Sequence, residues 1–400
     1  MSDSSLNLLY TITAYPPAIG GAQLHTHKIV STLAKENRVR VLTQWTENRT
    51  DWLLGTTLRS PQQIKEYEIE GVDVKQITLT QQERNALIPF VWGYYAFKKK
   101  SIDKISNILA PKIERYAHNP DLIQNVRMGR EGFSYASFKV ARKMNVPFVF
   151  VPLHHPRWVG FNYREYINLY READGVIALT NVEKQTLIHL GVKEEKIFVT
   201  GIGPLLAEKA DAARFREKYS IGENPVVLFL GQQYQYKGVE YLLKSAETVW
   251  QKHADVRFVF IGPRTDFSKK LFAEVKEPRI LELGSVSLED KTDAIAASDI
   301  LCVPSMQESF GGVYTEGWMM KKPVIGGDIP AVREVINEGS NGFLVTQDAP
   351  QIAEKIIELM DNPSRRHEMG EAGYHKVLEK YTWEKLAEKM KFAYHKVLKC

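Results

Sequence analysis

Short, wholly apolar runs recur along this 400-residue chain, and each is followed by a loop and a helix-compatible stretch. The clearest is Pro225-Val-Val-Leu-Phe-Leu230, in which no polar side chain interrupts the apolar ones. A strand that is apolar at every position is typical of a parallel sheet covered by helices on both faces. The alternation of such strands with helices therefore predicts an α/β fold.

Further short runs rich in apolar and β-branched residues, some with polar positions among them, predict other strands of the sheets. In the first half of the chain they are 6–13, 38–43, 121–126, 146–153, 173–180 and 196–204. In the second half they are 225–230, 256–263, 299–304 and 323–327. Helix-compatible stretches include 25–35, 88–109, 210–219 and the segments on either side of Tyr381-Thr-Trp383.

The length of the chain predicts two domains, because 400 residues exceed what one hydrophobic core usually organises. The run 196–204 ends in two glycines and a proline, which mark a change of direction. We place the boundary there, with a first domain at 1–203 and a second at 204–382.

The amino-acid composition is that of a soluble globular protein. Hydrophobic residues make up 44% and charged residues 25%, as in ordinary soluble globular proteins. No run approaches the about 20 apolar residues of a membrane-spanning helix. The net charge of +5 is mild and suits a phosphorylated ligand or an anionic lipid surface. Nucleic-acid binding is not expected, because the chain has no dedicated basic helix or known motif.

The N-terminus and the cysteines indicate a compartment. Residues 1–5 lead directly into the first predicted strand, without a basic region or a cleavage site, so no secretion signal is expected. Cys302 and Cys400 provide neither a disulfide framework nor a metal cluster. A cytoplasmic protein is the expectation.

Two glutamates frame the most informative stretch, Glu308-Ser-Phe-Gly-Gly-Val-Tyr-Thr-Glu316. On one straight helix Glu308 and Glu316 would lie ~12 Å apart along the axis. They can act together if Glu308 lies in a strand-to-helix loop and Glu316 lies inside the helix. The intervening glycines would let backbone N–H groups approach an anion. The alternative is a solvated loop charge and an unrelated helix charge.

Two other loops also follow predicted strands. Gly20 and Gly21 precede the helix 25–35 and offer unhindered amides to a phosphate or a sugar hydroxyl, although a plain turn would look the same. Lys237 precedes Gly238 at the start of another helix, where an ammonium group can neutralise a diphosphate. An ordinary surface lysine is the alternative for Lys237.

A pair of histidines, His154 and His155, ends the predicted strand 146–153. The carboxyl end of a parallel strand faces the crevice in which open α/β sheets bind ligands. Adjacent histidines rarely share a metal ion, and no carboxylate or cysteine is spaced to complete such a site. A histidine that caps hydrogen bonds of the loop is the alternative.

The strand 299–304, the glycine pair and the two glutamates, with Gly317-Trp-Met-Met-Lys-Lys-Pro323 after them, resemble the E-x7-E signature of retaining glycosyltransferases of the GT-B fold, family 4. The resemblance implies two facing Rossmann-like domains with a cleft between them, and a terminal helix, 383–400, that returns to the first domain. It implies transfer of a hexose-type sugar from a UDP- or GDP-linked donor to an acceptor hydroxyl, in polysaccharide or glycolipid assembly. The acceptor would be a carbohydrate or a lipid-linked sugar, and neither a metal nor a cofactor is implied.

The same resemblance assigns roles to residues. Lys237 would hold the leaving diphosphate, Glu308 would bind the sugar hydroxyls, and His154, with His155 as the fallback, would brace the sugar. Glu316 would accept hydrogen bonds from the ribose. The remaining donor-binding residues implied are Gly20, Gly21, Gln232, Arg264, Val286, Phe310, Gly311, Gly312 and Val313.

One position departs from the family pattern, which has Gly-Arg four residues before Lys-Gly. Gln232 occupies the arginine position, so a cation is missing unless Arg264 replaces it; Arg264 could instead form a wall for the nucleobase. A catalytically weak, sugar-nucleotide-binding partner subunit is therefore the alternative function. A sugar-nucleotide epimerase is a further alternative, which the intact E-x7-E stretch disfavours.

The stretch 88–109 combines aromatic residues with Lys98, Lys99 and Lys100 and is compatible with one amphipathic helix. Rings at an interface beside cationic side chains are typical of contact with anionic headgroups. A solvated basic edge is the alternative. Peripheral contact with the inner face of a membrane is a further expectation.

Overall fold

The computed structural model describes residues 5–18, 20–45, 53–54, 57–61, 63, 65–154 and 160–399. The chain divides into two compact units. Unit 1 comprises Met1–Thr200 and Trp383–Cys400, and unit 2 comprises Gly201–Thr382.

Unit 1 is built on an eight-stranded sheet. Its strands are β1 (Asn7–Ile12), β2 (Arg38–Thr43), β3 (Glu66–Ile69), β4 (Val72–Gln76), β5 (Leu122–Val126), β6 (Phe148–Val151), β7 (Gly175–Ala178) and β8 (Ile197–Val199). Their order in the sheet is β3-β4-β2-β1-β5-β6-β7-β8. All neighbouring strands pair in parallel except the β3–β4 hairpin. Since β5 and β6 are buried at every position, helices must cover both faces of the sheet.

Six helices connect these strands: α1 (Gly21–Leu33), α2 (Gln81–Trp92), α3 (Lys98–Ala117), α4 (Gly132–Met144), α5 (Arg164–Glu172) and α6 (Asn181–His189). Leucine, isoleucine and aromatic side chains of these helices and of the central strands form one buried core. Sequence-local signals fix several helix ends. Thr80 starts α2 with a reciprocal capping box to Glu83, and Thr180 caps α6 through the N–H of Glu183.

The prediction of one helix over 88–109 was wrong. The chain leaves the helical path at Gly93, the C-cap of α2, and α3 begins only at Lys98. A glycine disfavours helix continuation, and a short turn therefore separates the two helices. The β3–β4 hairpin was not predicted; its turn is Glu70-Gly71, with both residues at positive φ.

Unit 2 contains a six-stranded parallel sheet. Its strands are β9 (Val226–Leu230), β10 (Arg257–Ile261), β11 (Ile280–Gly284), β12 (Ile300–Val303), β13 (Val324–Gly327) and β14 (Gly342–Val345). They lie in the order β11-β10-β9-β12-β13-β14. Each residue of β9 is buried, as its wholly apolar sequence predicts.

Eight helices belong to unit 2: α7 (Ala212–Lys218), α8 (Val239–Trp250), α9 (Asp266–Ala273), α10 (Leu288–Ala297), α11 (Gly312–Met319), α12 (Pro330–Val335), α13 (Ala349–Asp361) and α14 (Pro363–Lys380). The last helix, α15 (Trp383–Leu398), is part of unit 1. Its Tyr394 hydroxyl is buried, donates to Gln124 Oε1 of β5 at 2.8 Å, and also meets the Tyr10 hydroxyl of β1. The terminal helix is thereby fastened to the central strands of the first sheet.

The strand order reverses once in each sheet. In unit 1 the chain runs from β1 outward through β2 to the edge and returns to β5, on the other side of β1. In unit 2 it runs from β9 through β10 to β11 and returns to β12, on the other side of β9. Open α/β sheets bind ligands beyond the carboxyl ends of the strands at such reversal points. A ligand is therefore expected at the loops after β1, β9 and β12.

No helix within the described ranges has both the length and the apolar character that crossing a bilayer requires.

Candidate functional site

Two predicted charges meet at the strand-order reversal of unit 2. Lys237 ends a short 3-10 turn, Gln235–Lys237, after β9, and Glu308 lies in the loop after β12. Lys237 Nζ donates to Glu308 Oε1 at 2.5 Å, and the two side chains are only 17% and 12% exposed. An anion could reach the ammonium only by sharing or displacing this contact. The pair thus places one cation and one carboxylate at the expected ligand position.

Gly238 brings the loops after β9 and β12 into close contact. It has φ +80°, and a Cβ atom there would lie 2.5 Å from the carbonyl oxygen of Pro304. The N–H of Met306 also donates to the carbonyl of Tyr236 at 2.9 Å. Only glycine fits such a position, so it fixes the approach of the two loops that carry Lys237 and Glu308.

The predicted glycine pair starts helix α11. Gly311 is the N-cap, with φ +86° and ψ +61°, and a Cβ atom there would lie 2.3 Å from the ring of Tyr314. Gly312 and Val313 occupy the first turn and are half-buried. The N–H groups of this first turn are the anion-binding end of the helix. Phe310 is 2% exposed and packs edge-on against Tyr381 at 5.3 Å, so its side chain belongs to the core of unit 2.

Glu316 lies one turn inside α11 and is 6% exposed. Its Oε1 accepts a hydrogen bond from Lys291 Nζ at 2.9 Å. Its Oε2 is buried and has no hydrogen-bond partner in the part of unit 2 that the structure describes. Burial raises the pKa of the Glu316 carboxyl, and the Lys291 ammonium opposes that rise. Lys291 was not identified from the sequence, since nothing local distinguishes it from other lysines.

Side chains from the loops after β9 and β10 form a polar cluster around Glu282 of β11. Arg264 Nε donates to Glu282 Oε2 at 2.7 Å, and Gln233 Nε2 donates to Glu282 Oε1 at 2.7 Å. Gln232 points an exposed side chain to solvent, and Val286 is half-buried just beyond β11. The guanidinium of Arg264 is thus already bound to a carboxylate. That Arg264 replaces the arginine missing at position 232 stays a prediction.

In unit 1 the two predicted glycines start α1, directly beyond β1. Gly20 is the N-cap in extended conformation, and a Cβ atom there would lie 2.3 Å from Gln23 Oε1. Gly21 is exposed, and a Cβ atom there would meet nothing within 4 Å. The protein itself therefore has room for a side chain at Gly21. A glycine at this position leaves that room to a ligand.

His154 follows β6 and is 3% exposed, with its ring edge-on to Tyr170 at 5.9 Å. Its backbone N–H donates to Glu183 Oε1 at 2.7 Å, and the N–H of Leu179 donates to Glu183 Oε2 at the same distance. Glu183 thus joins the carboxyl ends of β6 and β7. Burial raises the pKa of the Glu183 carboxyl to about 7, although the two N–H groups oppose the rise. His155 lies outside the described residues.

Two buried residues of this edge of unit 1 were not identified from the sequence. The stretch Thr180-Asn-Val-Glu183 is a helix-capping pattern that indicates a structural role for Glu183. Nothing in the sequence indicates its contact with the backbone of His154. Arg127, one residue after β5, is 7% exposed. It donates to the Tyr170 hydroxyl at 2.9 Å and lies over the ring of Tyr166 at 4.2 Å. A buried cation at a strand end has no sequence signal.

A search of the described residues finds no group of three or more His, Cys, Asp or Glu side chains arranged to hold a metal ion. The metal-independence predicted above stays a prediction.

Comparisons with known proteins identify the fold and show a family to which part of unit 2 is similar. Residues 211–376 match the family described as Glycosyl transferases group 1. The whole chain superposes on the crystal structure of Anabaena HepE in complex with UDP-glucose, with a TM-score of 0.74, 18% identity and coverage of 97% and 98% of the two chains. The protein therefore has the GT-B fold of two Rossmann-like domains, which confirms the predicted fold, and the segment that matches the glycosyltransferase family lies within unit 2.

Curated relatives match parts of the chain. Alpha-D-kanosaminyltransferase of Streptomyces kanamyceticus is 30% identical over 167 residues, which are 41% of this chain and 43% of that protein. The capsular polysaccharide biosynthesis glycosyltransferase CapM of Staphylococcus aureus is 28% identical over 259 residues, 60% of this chain and 67% of CapM. The chain thus spans less than half of the first relative and about two thirds of the second.

Proposed function

We propose that the protein is a retaining glycosyltransferase, which moves a hexose-type sugar from a UDP- or GDP-linked donor to an acceptor hydroxyl. The observation that carries the proposal is the contact between Lys237 and Glu308 at the strand-order reversal of a group 1 glycosyltransferase domain. A single cation and carboxylate at this position suit a ligand that has a diphosphate next to a polyhydroxylated ring.

The reaction requires that negative charge on the departing diphosphate be stabilised. Lys237 supplies one positive charge, and the N–H groups of Gly312 and Val313 at the start of α11 supply a helix N-terminus. When the diphosphate takes the ammonium, Glu308 is released from Lys237. Its carboxylate can then accept hydrogen bonds from the sugar hydroxyls and stand near the positive charge that develops on the ring.

The nucleoside end of the donor would bind at Glu316. Its buried Oε2 can accept a hydrogen bond from a ribose hydroxyl. Val286 and the backbone after β11 would hold the base, and Arg264 would stand beside it. In unit 1, His154 is proposed to hydrogen-bond the transferred sugar, with its backbone held by Glu183.

Neither a metal nor a cofactor has a role in the proposal. The acceptor is proposed to be a carbohydrate or a lipid-linked sugar in polysaccharide or glycolipid assembly; the protein's relative CapM belongs to capsular polysaccharide biosynthesis.

A surface of unit 1 supports a proposal of membrane contact. Four large apolar side chains near the junction of α2 and α3 are exposed: Ile88 43%, Trp92 83%, Tyr95 49% and Phe97 64%. We call these four residues the aromatic patch. Lys99 and Lys100 follow it and are exposed. Aromatic rings beside cationic side chains suit the headgroup region of an anionic bilayer, where a lipid-linked acceptor would be found.

One observation favours a second candidate, a partner subunit that binds sugar nucleotide and turns it over weakly. Gln232 is exposed at the position of the expected second cation. If so, Gln232→Arg should increase turnover, because a second positive charge would stabilise the leaving diphosphate. Unchanged turnover in that variant would show that no cation is missing.

The proposal is tested by incubating purified protein with UDP-glucose, UDP-galactose or GDP-mannose, with and without sugar acceptors. We expect acceptor-dependent consumption of one donor, and an NMR spectrum of the product that shows the anomeric configuration of the donor. An inverted product would contradict the retaining mechanism. Tight binding without turnover would favour the partner subunit.

A further inference from the structure

Lys291 connects two parts of unit 2 that are distant in sequence. It lies in α10, and its Nζ donates to Glu316 Oε1 of α11 at 2.9 Å and to the carbonyl of Leu205 at 2.6 Å. The side chains of Lys291 and Glu316 are 18% and 8% exposed. Lys291 and Glu316 are 25 positions apart in the chain, so their contact is created by the packing of the fold.

The two oxygens of Glu316 have different surroundings. Oε1 is bound by Lys291, whereas Oε2 is buried without a hydrogen-bond partner in the described part of the unit. Buried polar atoms nearly always have a partner, and one that lacks it at a ligand-binding edge is a candidate ligand contact. Lys291 therefore determines which oxygen of Glu316 is left for a ligand.

We propose that Lys291 is a positioning residue, which holds the Glu316 carboxylate ionised and directs its Oε2 toward the ribose of the nucleotide-sugar donor. The inference rests on the proposed function, since it assumes that Glu316 contacts the donor.

The charge of Lys291 matters because Glu316 is buried. Removing water from a carboxylate favours its protonated form, and a cation within about 4 Å opposes this. An ionised carboxylate only accepts hydrogen bonds, which suits ribose hydroxyls that donate. A protonated carboxyl also carries an O–H donor, which needs an acceptor. Without Lys291 the carboxyl of Glu316 would take up a proton at a higher pH, and donor affinity would fall with it.

The second contact keeps Lys291 in place independently of the donor. Leu205 belongs to the segment that leads into unit 2 from the boundary at Thr200. The two residues after Lys291 hold the same segment: Thr292 Oγ1 accepts from the N–H of Ala207 at 2.9 Å, and Asp293 Oδ1 accepts from the N–H of Asp211 at 2.6 Å. The ammonium is thus held by a backbone carbonyl as well as by Glu316.

Other titratable groups on the elements around α11 are bound elsewhere. On α14, which packs on α11, Glu371 pairs with Lys321 at 2.7 Å, and Lys376 donates to the carbonyl of Val335 at 2.5 Å. Tyr314 of α11 donates to the carbonyl of Val303 at 3.0 Å. Glu308, in the loop before α11, is held by Lys237. Among the described residues, Lys291 is the charged group bonded to Glu316.

The first measurement is the affinity for UDP-glucose and for GDP-mannose by titration calorimetry between pH 5 and pH 8. The diphosphate of these probes is esterified at both ends and keeps its charge in this range, so the pH dependence reports on the protein. Lys291→Met should weaken binding at pH 7 by about tenfold or more. It should also move the acidic loss of affinity to higher pH by about one unit or more.

Three further variants separate the roles of Lys291. Lys291→Arg keeps the charge and should recover most of the affinity and the wild-type pH profile. Lys291→Gln keeps a donor without charge and should show the shifted profile; it serves if the methionine variant fails to fold. Lys218→Met is the matched control, because Lys218 is an exposed lysine that pairs with Asp290, the residue before Lys291. It should leave affinity unchanged.

The second measurement needs no donor: the pKa of Glu316 from carboxyl-carbon NMR, with the signal assigned by its loss in Glu316→Gln. A higher pKa in Lys291→Met and Lys291→Gln than in the wild type supports the inference, and an equal pKa overturns it. A wild type that binds neither probe overturns the proposed function, and the NMR comparison still decides the ionisation of Glu316. Wild-type affinity in Lys291→Met would overturn the positioning role.

Discussion

Lys237 and Glu308 are the residues on which the proposed chemistry depends most. Both side chains are more than four-fifths buried, so their contact is shielded from water and salt. Such a pair gains Coulomb energy and loses solvation, and its net contribution to stability is small. The role proposed for it is catalytic: the ammonium, held in the loop after β9, would exchange a carboxylate for a phosphate without a large rearrangement.

Lys237→Ala tests this role. Losing one positive charge at the leaving diphosphate should reduce turnover about a hundredfold, roughly 3 kcal/mol of transition-state stabilisation. The measurement is kcat and KM for the donor at saturating acceptor. Lys244→Ala is the control, since Lys244 is an exposed lysine of α8 that pairs with Glu240 on the same helix. Full activity in Lys237→Ala would contradict the assigned role.

Glu183 gives a pH-dependent prediction. Its pKa is about 7 in the folded protein and about 4.3 in an unfolded chain. A carboxyl whose pKa is raised by folding stabilises the fold at a pH below its pKa in the unfolded chain. That stabilisation is lost as the pH rises toward its pKa in the folded protein. Relative to Glu183→Gln, the wild type should therefore lose on the order of 3 kcal/mol between about pH 4.3 and 7, and little above that range.

Calorimetric melting of both proteins across this range measures the effect. Glu172→Gln, at an exposed glutamate of α5, is the control. A difference between wild type and Glu183→Gln that does not change with pH would show that burial does not shift this carboxyl.

The site residues that the sequence could identify are those with a local signal. Glu308, Glu316 and Lys237 each stand in a strand–glycine–helix context that is legible in a few residues. Lys291 and Arg127 have no such context, because their partners are brought to them by packing. Even for the identified residues, the sequence could not show that Glu308 binds Lys237 or that only one oxygen of Glu316 is left without a partner.

At the scale of elements, the α2–α3 junction has the most consequential geometry. The turn after Gly93 separates two helices and leaves the aromatic patch exposed. Apolar and basic residues in this stretch were evident from the sequence. That they stand at a turn, rather than along one helix face, follows from Gly93 and from the packing of Leu87, Val91 and Tyr94 into the core.

The patch predicts binding to anionic bilayers. Sedimentation with phosphatidylglycerol vesicles should recover the protein, whereas phosphatidylcholine vesicles should recover much less, because the lysines contribute electrostatic attraction. The double variant Trp92→Ser/Phe97→Ser should reduce partitioning about tenfold or more. Phe392→Ser, at an aromatic residue of α15 that is 57% exposed, is the matched control. Equal partitioning of the double variant and the wild type would contradict the proposal.

At the scale of the whole molecule, two parallel sheets organise one chain, and each reverses its strand order once. The existence of the strands could be predicted from wholly apolar runs such as Val226–Leu230. The order of the strands could not, because β9 lies next to β12 through contacts between residues about 70 positions apart. The position of the candidate site depends on that order, since it places the loops of Lys237 and Glu308 side by side.

The central claim is that the donor's diphosphate binds at this reversal point in unit 2. A crystal structure with UDP-glucose bound tests it most directly. We expect a phosphate oxygen within about 3 Å of Lys237 Nζ, near the first-turn N–H groups of α11, and a ribose hydroxyl on Glu316 Oε2. A nucleotide bound elsewhere, with the contact between Lys237 and Glu308 intact, would contradict the account.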